Sequence, residues 1–280
     1  MRDVEGGLRE RVRAALDEDL GAEGDVTTNA VFPADARGSA VVVAKESGVD
    51  CGGRVFELVF ELIGGVEVEV VIGDGARVVP GDVAIRLSGS VRSLLAGERT
   101  ALNFLQRLSG IATRTARMVD AAGGRLLVCD TRKTTPLWRD LEKEAVRAGG
   151  GTNHRMGLYD MVMLKDTHAD GAGSLAEALR RVQPLRPRLK VAAEARTMEE
   201  VRMALDGGAD LLMLDNMDRA TLRAAIALIA GRIPTEITGG VTEETLASIA
   251  ELGVDRVSVG ALTHSVKALD FSMRLAAPSP

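Results

Sequence analysis

Aromatic residues are scarce in this chain: five Phe, one Tyr and one Trp among 280 residues. Stacking platforms for single-stranded nucleic acid therefore have almost nothing to build on. A basic excess is missing too, since 40 acidic side chains outnumber 35 Lys and Arg for a net charge of −5. A nucleic-acid-binding domain normally shows the opposite balance. No apolar run is long enough to cross a bilayer, and the opening MRDVEGGLRERVRAALDEDL is charged where a signal peptide has an apolar centre. It reads as an amphipathic helix. Cys51 and Cys129 are the two cysteines. The sequence allows a disulfide, but their apolar neighbours fit two buried thiols of a cytoplasmic protein better. His154, His168 and His264 lack the i, i+4 spacing of a helical ligand pair, so zinc is set aside. No nucleic acid and no membrane is expected as a partner.

What is present is ordinary in bulk, with 46% hydrophobic and 27% charged residues. The length suits one large α/β domain or two unequal ones. In the first hundred residues, 39–44 (SAVVVA), 66–72 (VEVEVVI) and 83–87 (VAIRL) carry strand patterns, separated by Gly, Asp and Pro turn chemistry. The segment GDGARVVPGDVAIRLSG loosely resembles a biotinyl or lipoyl carrier hairpin, but it holds no lysine, so a carrier role is set aside. From Ser93 to about Ala122 the leucines recur at helical steps. Arg99 lies about 40° from Leu95 and about 60° from Leu102 on that wheel. An arginine there snorkels, pairs locally or reaches into a neighbouring site.

After residue 125, apolar strand-like runs alternate with helical stretches at 126–129, 161–164, 191–193, 211–214, within 235–238, and at 257–259. Continuous apolar strands alternating with helices imply a parallel sheet covered by helices. Each run ends on polar or glycine residues: Asp130 with Arg132 and Lys133; Lys165; Glu194; Asp215 with Asn216; Thr238-Gly239-Gly240; Ser258 to Gly260. In a parallel barrel these ends converge on one mouth; an open doubly wound sheet would also bind at strand ends, although no G-x-G-x-x-G turn follows the first strand.

The densest chemistry is DTRKTTPLWRDLEKEAVRAGGGTNHRMGLYDMVMLKDTH at 130–168. Arg132, Lys133, Arg139, Lys143, Arg147, His154, Arg155, Lys165 and His168 form a cationic island in an acidic chain, which suggests a site for a small polyanion. Gly239, Gly240 and Gly260 either cradle a phosphate ahead of helices starting near Thr242 and Thr263, or only make tight turns. Glu194 and Asp215 suit acid–base work, magnesium ligation, stabilisation of positive charge, or loop capping. Lys165 suits either a fixed charge or a Schiff-base nucleophile.

These motifs resemble the quinolinate phosphoribosyltransferases, also called carboxylating nicotinate-nucleotide pyrophosphorylases. The resemblance runs nearly end to end, through EDLGAEGDVTTNAVFP (18–33), ERTALNFLQRLSGIAT (98–113), DTRKTTP (130–136), LEKEAVRAGGGTNHRMGLYDMVMLKDTH (141–168), LLMLDNM (211–217) and GVDRVSVGALTHS (253–265). It implies a type II phosphoribosyltransferase fold: an N-terminal α/β sandwich domain over 1–110, then an incomplete parallel α/β barrel over 111–280 whose C-terminal segment can pack back on the first domain. It further implies a homodimer, or a higher homo-oligomer, with shared active sites. Arg99 would reach into the partner's barrel mouth. Arg132, Lys133, His154, Arg155 and Lys165 match positions around quinolinate, with Lys133, Glu194 and Asp215 in catalytic roles. Glu194 and Asp215 match an acidic pair near the ribose of phosphoribosyl pyrophosphate and its Mg2+. Thr238, Gly239, Gly240, Gly260 and His264 match the 5-phosphate cradle.

The chain departs from the family pattern in four places. Leu137-Trp138-Arg139 stands where Gly-Leu-Arg is usual, and Thr167 where Asn is common. Ala192-Ala193-Glu194 replaces Glu-Val-Glu, removing one outer acid, and Thr238 replaces a serine. Two other functions remain in view: a same-fold homologue of the molybdenum-transport-associated type, and a Schiff-base lyase using Lys165.

Overall fold

The computed structural model describes residues 4–276. In chain order the strands are β1 (Arg37–Ala44), β2 (Gly48–Val49), β3 (Val66–Val70), β4 (Arg77–Val78), β5 (Val83–Ser90), β6 (Leu127–Cys129), β7 (Val162–Leu164), β8 (Val191–Ala195), β9 (Leu211–Asp215), β10 (Thr235–Thr238), β11 (Arg256–Ser258) and β12 (Phe271–Leu275). The chain divides into two compact units. One holds the chain up to Thr113 and again from Val266, and the other runs Arg114–Ser265.

The first unit is built on an antiparallel sheet of order β12-β1-β5-β3. The helix Gly53–Ile63 packs on β3, and the helix Val4–Leu20 packs on that helix. Val55, Phe56, Val59 and Phe60 recur at helical steps and are all buried, so one apolar stripe supplies the core between helix and sheet. The segment compared with a carrier hairpin does not pair with itself: β4 pairs with β2, and β5 with β1 and β3. The end of the chain, counted with the barrel in the sequence reading, gives β12 to this sheet through Ala40↔Leu275 to Ala44↔Phe271.

The second unit is an incomplete parallel α/β barrel. Its six strands lie in the order β6-β11-β10-β9-β8-β7, all in parallel register. Helices follow the strands, including Arg139–Ala148, Asp166–Ala172, Met198–Asp206, Arg219–Ile229 and Glu243–Ala250. Every residue of β8 is buried, as expected for a strand covered on both faces. Thr197 caps the helix Met198–Asp206 by accepting the Glu200 N–H at 3.2 Å. At the β6 edge a seventh strand is replaced by a single parallel bridge, Cys129↔Thr152. The backbone just beyond that bridge is held by Asp130 and Lys143, and it carries His154 and Arg155.

Candidate active site

At the C-terminal ends of the parallel strands, Asp130, Thr131, Arg132, Lys133, His154, Arg155, Met163, Lys165, Met213, Thr238 and Ser258 line a cavity of about 160 Å³. Side chains alternate across a strand, so Met163 and Lys165 share one face of β7 and its end, as Met213 and Asp215 do on β9. Met163 and Met213 pack with Ala192, Leu211 and Met161 into an apolar cluster that borders the cavity.

The loop after β6 is held from beneath by a buried ion pair. Lys143 and Asp130 are both fully buried and in contact. Asp130 also accepts from the His154 N–H at 2.9 Å and from Asn153 Nδ2 at 2.6 Å. Burial pushes the Asp130 carboxyl above its ordinary value, and these donors offset part of that rise. Buried Glu142 accepts from the Thr135 N–H and hydroxyl, at 3.1 and 2.8 Å. Arg139 donates to Thr134 Oγ1 at 3.0 Å and to the Met156 carbonyl at 3.2 Å, and Arg147 donates to Asn153 Oδ1 at 2.5 Å. His168 Nδ1 accepts the Lys165 N–H at 3.0 Å, at the start of the helix Asp166–Ala172. The cationic island therefore separates by role: Arg132, Lys133, His154, Arg155 and Lys165 line the cavity, while Arg139, Lys143, Arg147 and His168 shape the loops that present them.

Three forces act on Arg155, of which the charge of Asp160 opposes the other two. Burial, and then the like charge of Arg132, hold its guanidinium below the ordinary arginine value; its NH1 donates to the Met161 carbonyl at 3.2 Å. Like charges brought together in a partly dry cavity leave an electrostatic strain that an anion relieves. Lys165 Nζ donates to Glu194 Oε2 at 3.0 Å, with Glu194 almost fully buried.

The residues of the proposed phosphate cradle sit around the same mouth. Thr238 lines the cavity and is the register partner of Asp215. Asn216 donates to Asp215 Oδ2 at 3.1 Å. Gly239 has φ +83, and a Cβ there would lie 2.4 Å from Asn216 Oδ1. Gly239 and Gly240 line a second cavity with Asn216 and Arg219, of about 210 Å³. The helix Glu243–Ala250 starts at Thr242 as expected, but the last short helix begins at Ala261 rather than near Thr263. Gly260 has a role the sequence did not suggest: a Cβ on it would stand 2.8 Å from Lys133 Cδ. The lysine stem occupies that space, and Thr263 Oγ1 donates to the Lys133 carbonyl at 2.8 Å. His264 is exposed, its Nδ1 2.6 Å from Ser265 Oγ. Arg99 is exposed on the helix Val91–Ala122, in the first unit.

Sequence reasoning passed over three residues. Met163 and Met213 lie within the apolar runs 161–164 and 211–214, and both line the cavity. Glu236 was absorbed into an apolar run. A carboxylate within a strand between otherwise uncharged residues was the available signal.

A parallel barrel that gathers separate cations at its strand ends defines an enzyme of the barrel class that handles small anions. Comparison with known proteins narrows this. Quinolinate phosphoribosyl transferase, N-terminal domain, matches residues 25–109, and the corresponding C-terminal domain matches 111–274. The chain is 43% identical to quinolinate phosphoribosyltransferase [decarboxylating] 2b, mitochondrial, of Nicotiana tabacum, covering 96% of this chain and 82% of that protein. It is 42% identical to the probable nicotinate-nucleotide pyrophosphorylase [carboxylating] of Bacillus subtilis, covering 91% and 89%. The structure of NadC from Streptococcus pyogenes superposes with a TM-score of 0.93 at 42% identity over 99% of both chains. The chain belongs to the quinolinate phosphoribosyltransferase family.

Proposed function

We infer that this protein transfers the phosphoribosyl group of phosphoribosyl pyrophosphate to quinolinate and releases carbon dioxide, giving nicotinate mononucleotide and pyrophosphate for NAD synthesis. The carrying observation is the single cavity that Arg132, Lys133, Arg155 and Lys165 line together, with Arg155 buried. Two adjacent carboxylates on a pyridine ring supply the charge such a cavity calls for, and arginine forks match carboxylate geometry. The pyridine nitrogen attacks ribose C1 while the C1–O bond to pyrophosphate breaks, its electron pair leaving with pyrophosphate. Positive charge developing at C1 is stabilised by Glu194 and Asp215. The bond from C2 to its carboxylate then breaks, and the electron pair left on C2 takes a proton. Lys133 and Arg155 hold the two carboxylates during transfer and the remaining one after the other departs as carbon dioxide, and Thr238, Gly239, Gly240, Gly260 and His264 receive the 5-phosphate.

Mg2+ fits this site as a companion of the substrate. Glu194 Oε2 and Asp215 Oδ2 each already accept a hydrogen bond, and among the described residues no group of three or more His, Cys, Asp or Glu could hold a metal. Pyrophosphate oxygens would supply most of its ligands, and the ion would neutralise the leaving group. A homodimer in which Arg99 enters the partner's barrel mouth accounts for an exposed arginine beside an apolar stripe. The buried thiols of Cys51 and Cys129, neither in a disulfide, suit a reducing, cytoplasmic setting. Among the described residues no helix is long and apolar enough to cross a membrane.

The Schiff-base reading is weakened by the donation from Lys165 to Glu194, which engages the ammonium as a charge. The molybdenum-transport-associated reading is weakened by a lining whose cations suit a dicarboxylate. The deciding assay incubates the protein with quinolinate, phosphoribosyl pyrophosphate and Mg2+ and measures nicotinate mononucleotide and carbon dioxide. A well-folded protein that produces neither sinks the proposal.

A further inference from the structure

Both ring nitrogens of His154 point at the protein. Nδ1 accepts the Arg155 N–H at 2.8 Å, so the ring proton resides on Nε2. Nε2 faces Glu236 Oε2 at 3.3 Å, the two side chains 4% and 0% exposed. That approach is within ion-pair distance but off-line for a hydrogen bond. Neither Nε2 nor either Glu236 oxygen has a hydrogen-bond partner. Glu236 stands in register beside Arg256, and its negative charge is felt at Cys129, whose thiol is pushed up to about 12 by burial first and by Glu236 next. A buried carboxylate with no hydrogen bond costs stability, and an apolar residue would fill the strand without that cost.

We propose that Glu236 is a positioning residue for the dicarboxylate half of the site: through Nε2 it fixes the tautomer and orientation of His154, whose Nδ1 in turn fixes the Arg155 backbone and aims that guanidinium into the cavity. His154 is then a strut between a buried carboxylate and a substrate-facing arginine. The inference rests on the transferase reading of the same cavity and deepens it, by giving the barrel interior a part in acceptor binding. Asp130, which holds the His154 N–H from the other side, makes the segment a two-point mount.

Two measurements test this. In 15N–1H correlation spectra of histidine-labelled wild-type protein, His154 should carry its proton on Nε2 with Nδ1 bare, and Glu236→Gln should shift that balance. In kinetics, Glu236→Gln should raise the KM for quinolinate about tenfold and leave that for phosphoribosyl pyrophosphate within about twofold. Glu236→Asp, which keeps the charge but withdraws it, should fall between. A protonated Nδ1 in the wild type, or an unchanged quinolinate KM in a folded Glu236→Gln protein, overturns the proposal, as does a fall in melting temperature with both KM values unmoved. Should Glu236→Gln fail to fold, the wild-type spectrum and Glu236→Asp carry the test. A wild-type protein without turnover would refute the transferase instead, and the tautomer would still report on Glu236.

Discussion

Lys133 and Gly260 are distant in sequence, yet the lysine Cδ fills the space that a side chain at residue 260 would need, 2.8 Å from an added Cβ. The stem of a cavity-lining lysine and the loop after β11 therefore share one volume. Gly260→Ala is expected to displace Lys133 and raise the KM for quinolinate about tenfold or more, while the melting temperature changes little. Steady-state kinetics with each substrate varied checks this; an unchanged quinolinate KM contradicts the shared volume.

Leu137 adopts φ +67 in the turn after the DTRKTTP segment and is 79% exposed. Left-handed backbone costs a residue with a Cβ about 1–2 kcal/mol. This is the position where the family usually has glycine. Leu137→Gly is therefore expected to stabilise the protein by about 1 kcal/mol at unchanged or improved activity, less the extra chain entropy glycine brings. Urea denaturation measures it, and destabilisation would contradict the strain.

Asp50 is buried, and its carboxyl is pushed up to about 7, by burial first and by the nearby Asp74 charge next. The folded state keeps this proton to about pH 7, whereas the unfolded chain gives it up near its ordinary value of 3.8. Stability from this group is thus present at low pH, declines between about pH 4 and pH 7, and is flat above. Asp50→Asn should remove that decline and stabilise the protein at pH 8, by up to about 4 kcal/mol. Melting temperatures from pH 4 to 8 for both proteins decide the matter; parallel curves would count against it.

Lys143 and Asp130 are both fully buried. Removing one partner strands the other in a dry site, which costs about 3–5 kcal/mol. Lys143→Met should show that loss in denaturant unfolding together with loss of turnover, because the His154 N–H and Asn153 lean on the same carboxylate. Stability within 1 kcal/mol of wild type, on the order used for surface pairs, would show the pair to be dispensable.

Arg99 and Lys133 test the shared site of the proposed homodimer. Arg99→Ala and Lys133→Ala should each be inactive alone. Mixed and allowed to exchange subunits, they should recover about a quarter of wild-type activity, because half the dimers are hybrids with one intact site of two. No recovery in verified hybrids would place Arg99 outside the site.

The fold was legible because most barrel strands are largely buried and read as short apolar runs that alternate with helical stretches. Each run's final polar residue marked the mouth, which is how Lys165, Glu194, Asp215 and Thr238 were found from one pattern. The sorting of the cationic island was not legible. Arg139 and Arg132 look alike in sequence, and only the hydrogen bonds of Arg139 to Thr134 and Met156 reveal a loop brace. Glu236 was hidden because a buried acid needs its partner on another segment, and His154 is 82 positions away in sequence. The left-handed turn at Leu137 was visible only as a departure, since φ follows from the turn and not from the residue that occupies it.

The pairing of β12 with β1 has a consequence for the order in which the molecule assembles. The first sheet is composed of the earliest-made strands and the last. While the chain is being synthesised, β1 must wait with an open edge until the whole barrel sequence has been made. Contacts of such long sequence separation form late and slowly. The barrel can thus condense first, from local strand–helix steps, and the pairing of β12 with β1 completes the first sheet afterwards. Loss of a few residues near the carboxyl end would then be felt at the beginning of the protein.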